Sequence, residues 1–275
     1  MKQSTFYYLL RRGVIGGGGS SGGDSFTGLL DTYSGAAAAY SLRQLSSTYS
    51  GDAIVVRRAS DNTTQAIGFV NNELDTTTLE SFCSGTDGFV TTWYDQSGNG
   101  VNATQAAAAN QPQIVSSGST ILEGGKPSLD LGATTYFDLD SLTGAANLFS
   151  VISLNDKQYV FSKATDSIMY IRQRTLGGVP AYRYRKSVSD YEFPTHIVNT
   201  RFLFNFNQAN NFVKQNGLQN SNTASTPSVM SIDRILADSN GVNSVTGVVQ
   251  EFILWDNGNN NDGIETNIND FYSIY

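Results

Sequence analysis

The spacing of hydrophobic and polar positions changes several times along the chain. Near the start, Phe6-Tyr7-Tyr8-Leu9-Leu10 forms one apolar cluster, closed by Arg11-Arg12 and followed at 16–23 by a run of Gly and Ser. Such a run is a flexible joint, so the pattern predicts an arm over 1–23 and a body over 24–275. Within 31–47, Ala36 to Ala39, Leu42 and Leu45 give an apolar stripe behind Asp31 or Ser34 as caps, which predicts a helix. The period then falls to two. Residues 53–58 read as a strand, Asp61-Asn62 as a turn and 65–70 as its partner. A short helix beginning at Asp75 is expected over 74–82, and a strand over 88–94 runs into Asp95-Gln96-Ser97-Gly98-Asn99-Gly100. From 114 onward, short alternating runs at 149–154, 159–162, 168–172, 181–185, 201–207, 211–214, 233–237 and 245–255 are separated by turn residues. Asn216-Gly217 and Asn240-Gly241 are the strongest turn signals. A last helix over 264–275 puts Ile264, Ile268 and Phe271 on one face.

Many short strands with turn chemistry between them predict an all-β sandwich. Composition agrees, with charged residues at 15%, hydrophobic residues at 39%, 27 Gly and many Ser, Thr and Asn. Charge sharpens the division at the hinge. Lys2, Arg11 and Arg12 give residues 1–23 a charge of +3, leaving −10 for the rest of a chain whose net charge is −7. An acidic body argues against nucleic acid as partner, since phosphate binding needs a basic face. One cysteine, Cys83, and one histidine, His196, make neither an intramolecular disulfide nor a multi-histidine metal site. No apolar run reaches the ~18 residues of a membrane span. Arg11-Arg12 cut the first apolar stretch below the ~7–15 residues of a signal-peptide core, so the expectation is a protein made in the cytosol that keeps its first residue.

Several blocks carry a resemblance. Ala39-Tyr40-Ser41-Leu42-Arg43, Tyr49-Ser50-Gly51, Val56-Arg57-Arg58-Ala59-Ser60-Asp61, Phe82-Cys83-Ser84-Gly85 and Trp93-Tyr94-Asp95-Gln96-Ser97-Gly98 resemble, in order and spacing over about the first third of the chain, the catalytic domain of α-L-arabinofuranosidase B enzymes. The stretch 202–217 and Gly247-Val248-Val249-Gln250-Glu251-Phe252-Ile253-Leu254-Trp255 resemble the closing hairpins of laminin-G and concanavalin-like jelly rolls. Both imply one fold, a concanavalin A-like jelly-roll sandwich with a few short helices. Glycosidases of this kind work with two carboxylates. The resemblance puts the acid/base at Asp238, within Leu236-Ala237-Asp238-Ser239-Asn240-Gly241. The family's apolar-Asp-Leu-Glu-Asn-Gly nucleophile run is not present. The nearest stretch, 182–192, offers Asp190 or Glu192. The family's vicinal Cys pair is also missing, and the partner implied for Cys83 is replaced around Asp87-Gly88. These departures weigh against turnover.

Domains with this Tyr-Ser-Gly, Val-Arg-Arg and Trp-Tyr-Asp-Gln-Ser-Gly pattern are similar to those of structural and fibre proteins of tailed bacteriophages. The expectation drawn from this is a virion structural protein, a fibre or a head or tail decoration, whose lectin-like sandwich binds host-surface carbohydrate, and which is a homo-oligomer or present in multiple copies on a particle assembled in the host cytoplasm. Phe6, Tyr7, Tyr8, Leu9, Leu10, Arg11 and Arg12 are then a docking peptide for other virion proteins, against the plain reading of a disordered terminus. Carbohydrate-binding candidates on the sandwich are Trp93, Tyr94, Tyr182, Tyr184, Asp238 and Asn240. Trp93 and Tyr94 either present rings to a sugar or straddle the sheet as core and surface residues. Alternation puts Tyr182 and Tyr184 on one strand face and Arg183 and Arg185 on the other, where, with Arg172 and Arg174, they form a cationic strip or a solvated face. His196 reads as a loop residue. The oxygen-rich stretch 256–262 has the composition of a hard-cation loop without its bidentate Glu and is expected to be a plain turn, so no metal or cofactor is assigned. The alternatives are a glycoside hydrolase of the α-L-arabinofuranosidase type and a purely structural assembly protein.

Overall fold

The computed structural model describes residues 26–154, 159–163, 166–176, 179–186, 189–194, 200–210, 212–221, 230–238, 240–241, 246–256 and 261–275. The proposed docking residues Phe6 to Arg12 and His196 lie outside them. The protein is an all-β sandwich. The Gly88–Trp93 strand is where its layers part: Gly88 pairs with Val115 of Gln113–Ser116, and Trp93 with Ala103 of the short strand Ala103–Thr104. From there one layer runs through Phe137–Ala145, Met230–Ile235 and Tyr159–Lys163 to Asp166–Leu176, Val179–Lys186 and Ser189–Pro194. The other runs through Leu129–Leu131, Gly247–Trp255 and Asn147–Leu154 to Phe202–Asn207, Phe212–Gln215 and Leu218–Ser221.

Inward-facing residues of the two layers meet in one apolar core. Tyr40 lies 5.8 Å from Trp93 and Trp93 6.0 Å from Phe137, while Phe161 meets Phe206 at 6.3 Å. Such offset ring pairs add roughly 0.5–1.5 kcal/mol each beyond the area they bury. A smaller cluster lies on the outer face of the second layer, where Ile264 and Ile268 of the helix Asn261–Tyr272 pack with Phe149, Ile253 and Trp255.

The helix expected over 31–47 is not formed. A single turn, Leu29–Thr32, precedes a strand, Ala36–Ser41, that pairs antiparallel with Gly247–Trp255. Tertiary pairing overrides alanine's helix preference here because both strand faces are covered. Ala38 and Tyr40 enter the main core, while Ala36 and Ala39 enter the smaller cluster beneath the last helix. Of the other expected elements, Ile54–Arg58 pairs with Thr64–Ile67, and Asp75 caps Thr76–Phe82 by accepting from the Thr78 N–H. Phe69–Val70, expected on the same partner strand, pairs instead with Glu73–Leu74, and the last helix begins at Asn261, inside the stretch expected to be a turn.

The single turn at Leu29–Thr32 is tied down by a carboxylate. Asp31 accepts from the Gly28 N–H at 2.7 Å, the Ser46 hydroxyl at 2.7 Å and the Ser47 N–H at 2.8 Å. Burial pushes its pKa up, but the bonds from Ser46, Ser47 and Gly28 outweigh that and bring it down to about 2 from 3.8. A folded-state pKa below the unfolded value contributes stability that is complete above the unfolded value and is lost as pH falls through the folded one. Asp31→Asn is therefore expected to flatten the acid limb of stability between about pH 4 and pH 2, read as urea midpoints across that range. A limb of unchanged steepness would remove Asp31 as its source.

Candidate functional site

The chain leaves the Met230–Ile235 strand through Leu236, a buried residue held at φ 70. A leucine in this left-handed region costs about 1–3 kcal/mol and persists where its surroundings over-determine it. Here the Leu236 N–H donates to the Val160 carbonyl at 2.9 Å. Two residues on, Asp238 is 7% exposed. Its Oδ1 accepts from the Asn240 N–H at 3.0 Å and its carbonyl accepts from the Gly241 N–H at 3.0 Å, closing a tight Asx-type turn. Asn240 is exposed at the tip.

Three side chains brace this turn. Arg234 donates through Nε to Asp138 Oδ1 at 2.7 Å and through Nη1 to the Asp238 carbonyl at 3.5 Å. Its guanidinium lies 4.3 Å from the centroid of the Tyr136 ring. That ring also abuts Gly241, which has φ +70 and whose added Cβ would sit 2.6 Å from it, so position 241 needs glycine on both counts. Asp138, Arg234 and Tyr136 carried no signal in the sequence. Asp138 and Arg234 are 96 residues apart and meet because their strands pair in register.

The other expected site residues fare differently. Trp93 is fully buried between Tyr40 and Phe137 and presents no ring to a sugar, so its assignment as a carbohydrate contact is corrected to a core residue. Tyr94 is half-buried and donates its N–H to the Ala53 carbonyl at 2.9 Å. Tyr182 and Tyr184 lie opposite Phe193 and Tyr191 in the Val179–Lys186 and Ser189–Pro194 ladder, and their side chains fall outside the described residues. Asp190 and Glu192 sit on the Ser189–Pro194 strand, four ladder steps from Met230–Ile235. Among the described residues no group of three or more His, Cys, Asp and Glu is placed to hold a metal ion.

The Tyr-Asp-Gln-Ser-Gly block is a clamp for the first strand. Asp95 accepts from the N–H groups of Ala39, Ser97 and Val101 and from the Ser97 hydroxyl. Gln96 accepts from the Leu45 N–H and donates to the carbonyls of Ser41 and Arg43. These residues hold the 36–45 segment against the sandwich and leave little polar capacity for a ligand.

An all-β sandwich with a buried carboxyl on a strained, braced turn is the class of site this chain presents. A family model described as Alpha-L-arabinofuranosidase B, catalytic, matches residues 31–125. The α-L-arabinofuranosidase B of Emericella nidulans (strain FGSC A4) is 42% identical over 72 residues, 26% of this chain and 14% of that protein. Two solved structures cover 88% of this chain. An arabinofuranosidase complexed with arabinofuranosyl-α-1,2-xylobiose has TM-score 0.61 at 18% identity, and a GH54 α-L-arabinofuranosidase soaked with a cyclic sulfate inhibitor has 0.57 at 17%. The chain spans 64% and 65% of those two chains, under two thirds of their length. It has the fold of an arabinofuranosidase B catalytic domain.

These findings overturn the expected virion structural protein. The family model, the curated relative and the solved structures are all arabinofuranosidases, and nothing in them points to a phage particle. The blocks on which that expectation rested include the clamp around Asp95 and Gln96, which reports the sandwich rather than a setting in a virion.

Proposed function

We propose that the chain is the catalytic sandwich of a glycoside hydrolase of the α-L-arabinofuranosidase type, with Asp238 as its general acid/base. The observation that carries the reading is the Asp238 turn itself: a buried carboxyl, held by its own turn and braced by Arg234, in a fold shared with arabinofuranosidases. Such a carboxyl protonates the departing glycosidic oxygen while a second carboxylate takes the sugar as an ester, and then deprotonates the water that cleaves that ester. Release of 4-nitrophenol from 4-nitrophenyl α-L-arabinofuranoside by the purified full chain is the expected result.

A second reading, arabinofuranoside binding without hydrolysis, is favoured by one observation. Asp190 and Glu192, the carboxylates the sequence offers as the second catalytic group, sit on the Ser189–Pro194 strand, four ladder steps from the Met230–Ile235 strand that leads into Asp238. Saturable binding of the aryl arabinofuranoside with no release of nitrophenol would decide for that reading.

A further inference from the structure

The sheet face beside the Asp238 turn carries a second carboxylate. Across the Phe137–Ala145, Met230–Ile235 and Tyr159–Lys163 strands, Phe137 pairs with Ile235 and Ile235 with Phe161, and all three enter the core. Their neighbours form the adjoining row: Asp138 stands opposite Arg234 and Arg234 opposite Ser162, with Thr104 on the far side of Asp138. Directly opposed residues share a face and successive ones alternate, so these four line the outer face.

Asp138 is engaged at one oxygen only. Its Oδ1 accepts from Nε and Nη2 of Arg234, both at 2.7 Å. Its Oδ2 has no hydrogen-bond partner among the described residues, and the side chain is 46% exposed. Through Nη1 the same guanidinium reaches the Asp238 carbonyl at 3.5 Å. One guanidinium and its contacts therefore join Asp138 to Asp238, whereas Asp190 and Glu192 stand four strands away. Ser162 adds an independent sign of a ligand. It is 2% exposed, and its Oγ makes no hydrogen bond among the described residues. A buried hydroxyl left unpaired costs free energy, and a molecule lying over Arg234 would reach both this hydroxyl and Asp138 Oδ2.

We propose that Asp138 is the second catalytic carboxylate, the nucleophile that works with Asp238; the assignment rests on the glycosidase function proposed above. Asp138 Oδ2 attacks the anomeric carbon as the bond from that carbon to the leaving oxygen breaks, and Asp238 gives the leaving oxygen its proton. The sugar is then an ester of Asp138. Water, losing a proton to Asp238, attacks the same carbon, the ester bond breaks and the Asp138 carboxylate is restored. Arg234 holds Oδ1 and leaves Oδ2 to react.

The Asp238→Asn variant supplies the test, because nitrophenolate leaves with little protonation while breakdown of the ester lacks its base. Incubated with 4-nitrophenyl α-L-arabinofuranoside and then denatured, this variant is expected to gain the mass of one anhydropentose, and peptide mapping to place it on Asp138. Asp138→Gly is expected to lose turnover by about 10⁴-fold or more, the scale on which loss of a nucleophile is felt. Azide should restore its turnover by forming the arabinofuranosyl azide of inverted configuration, a product that a merely structural Asp138 would not give. The mass measurement leaves Asp138 unaltered, so it stands if Asp138→Gly fails to fold. An ester on another residue or on none, an inverted sugar as the wild-type product, or full turnover in Asp138→Gly would each overturn the assignment and leave the glycosidase reading in place. No nitrophenol released by the wild-type chain would overturn that reading and the assignment with it.

Discussion

Asp238→Asn is expected to lower turnover of 4-nitrophenyl α-L-arabinofuranoside by about 10²–10⁴-fold, the range that a positioned general acid/base supplies. The substitution is nearly isosteric. The Asn carbonyl oxygen can still accept from the Asn240 N–H, so the turn closed by that bond and by Gly241 N–H to the residue 238 carbonyl stays in place. What is lost is the carboxyl that hands over and takes back the proton. Two features separate this loss from a distorted site. Nitrophenolate is a good leaving group and needs little protonation, so an unactivated arabinofuranosyl oligosaccharide should lose more rate than the aryl substrate. Azide needs no base to deprotonate it, so it should restore turnover if the water-dependent step has become limiting. A variant that hydrolyses both substrates at the wild-type rate would remove Asp238 from the chemistry, whereas Arg234 and Tyr136 would keep their structural part in the turn.

How far the sequence reveals such a site depends on where its parts lie along the chain. Strands at 53–58 and 88–94 are legible because one buried face imposes a period of two, as Ile54 and Val56, and Gly88 and Val90, show, before a bulge opposite Val55 and Val56 turns Trp93 inward. The last helix is legible for a similar reason, with Ile264 and Ile268 buried on one stripe. The Ala-rich stretch at 36–41 is not, because its covering strand is more than two hundred residues away. The Ser41 hydroxyl, for instance, bonds Glu251 across 210 positions. Small side chains that serve a helix equally serve a strand pressed between two layers, and local pattern does not separate the cases. Asp238 is found through its Asp-Ser-Asn-Gly turn, yet its brace of Arg234, Asp138 and Tyr136 exists only once two strands pair. Trp93 misleads for the opposite reason. Its neighbours Asp95 to Gly98 form an exposed-looking polar turn, while its own position on the inward face places the indole in the core.

Arg43→Met is expected to cost about 3–5 kcal/mol of stability, because it leaves a buried carboxylate without its counter-charge. Glu251 is fully buried on the central strand Gly247–Trp255, beneath the last helix. It accepts from Arg43 Nε at 2.8 Å and Nη2 at 3.1 Å, from the Ser41 hydroxyl at 2.7 Å and from the Tyr272 hydroxyl at 3.4 Å. Arg43 also donates through Nη1 to Asn267 of the helix at 3.0 Å and stacks 4.7 Å from the Phe271 ring centroid. Burial works against its charge, but the adjoining Glu251 carboxylate outweighs that and holds the guanidinium pKa above its ordinary value. The Tyr272 hydroxyl is pushed well up by burial and then by the Glu251 charge, so it stays protonated as a donor. Methionine keeps the stem's packing and removes the cation, which confines the loss to electrostatics and hydrogen bonding. The measurement is the urea midpoint at constant slope. The double change Arg43→Met with Glu251→Leu should recover much of the loss, since replacing both members of a buried pair by apolar groups is often close to neutral. A single variant as stable as the wild type would mean that water reaches Glu251. A double variant no better than the single would mean that the helix is held by the stacking of Arg43 on Phe271 rather than by the ion pair.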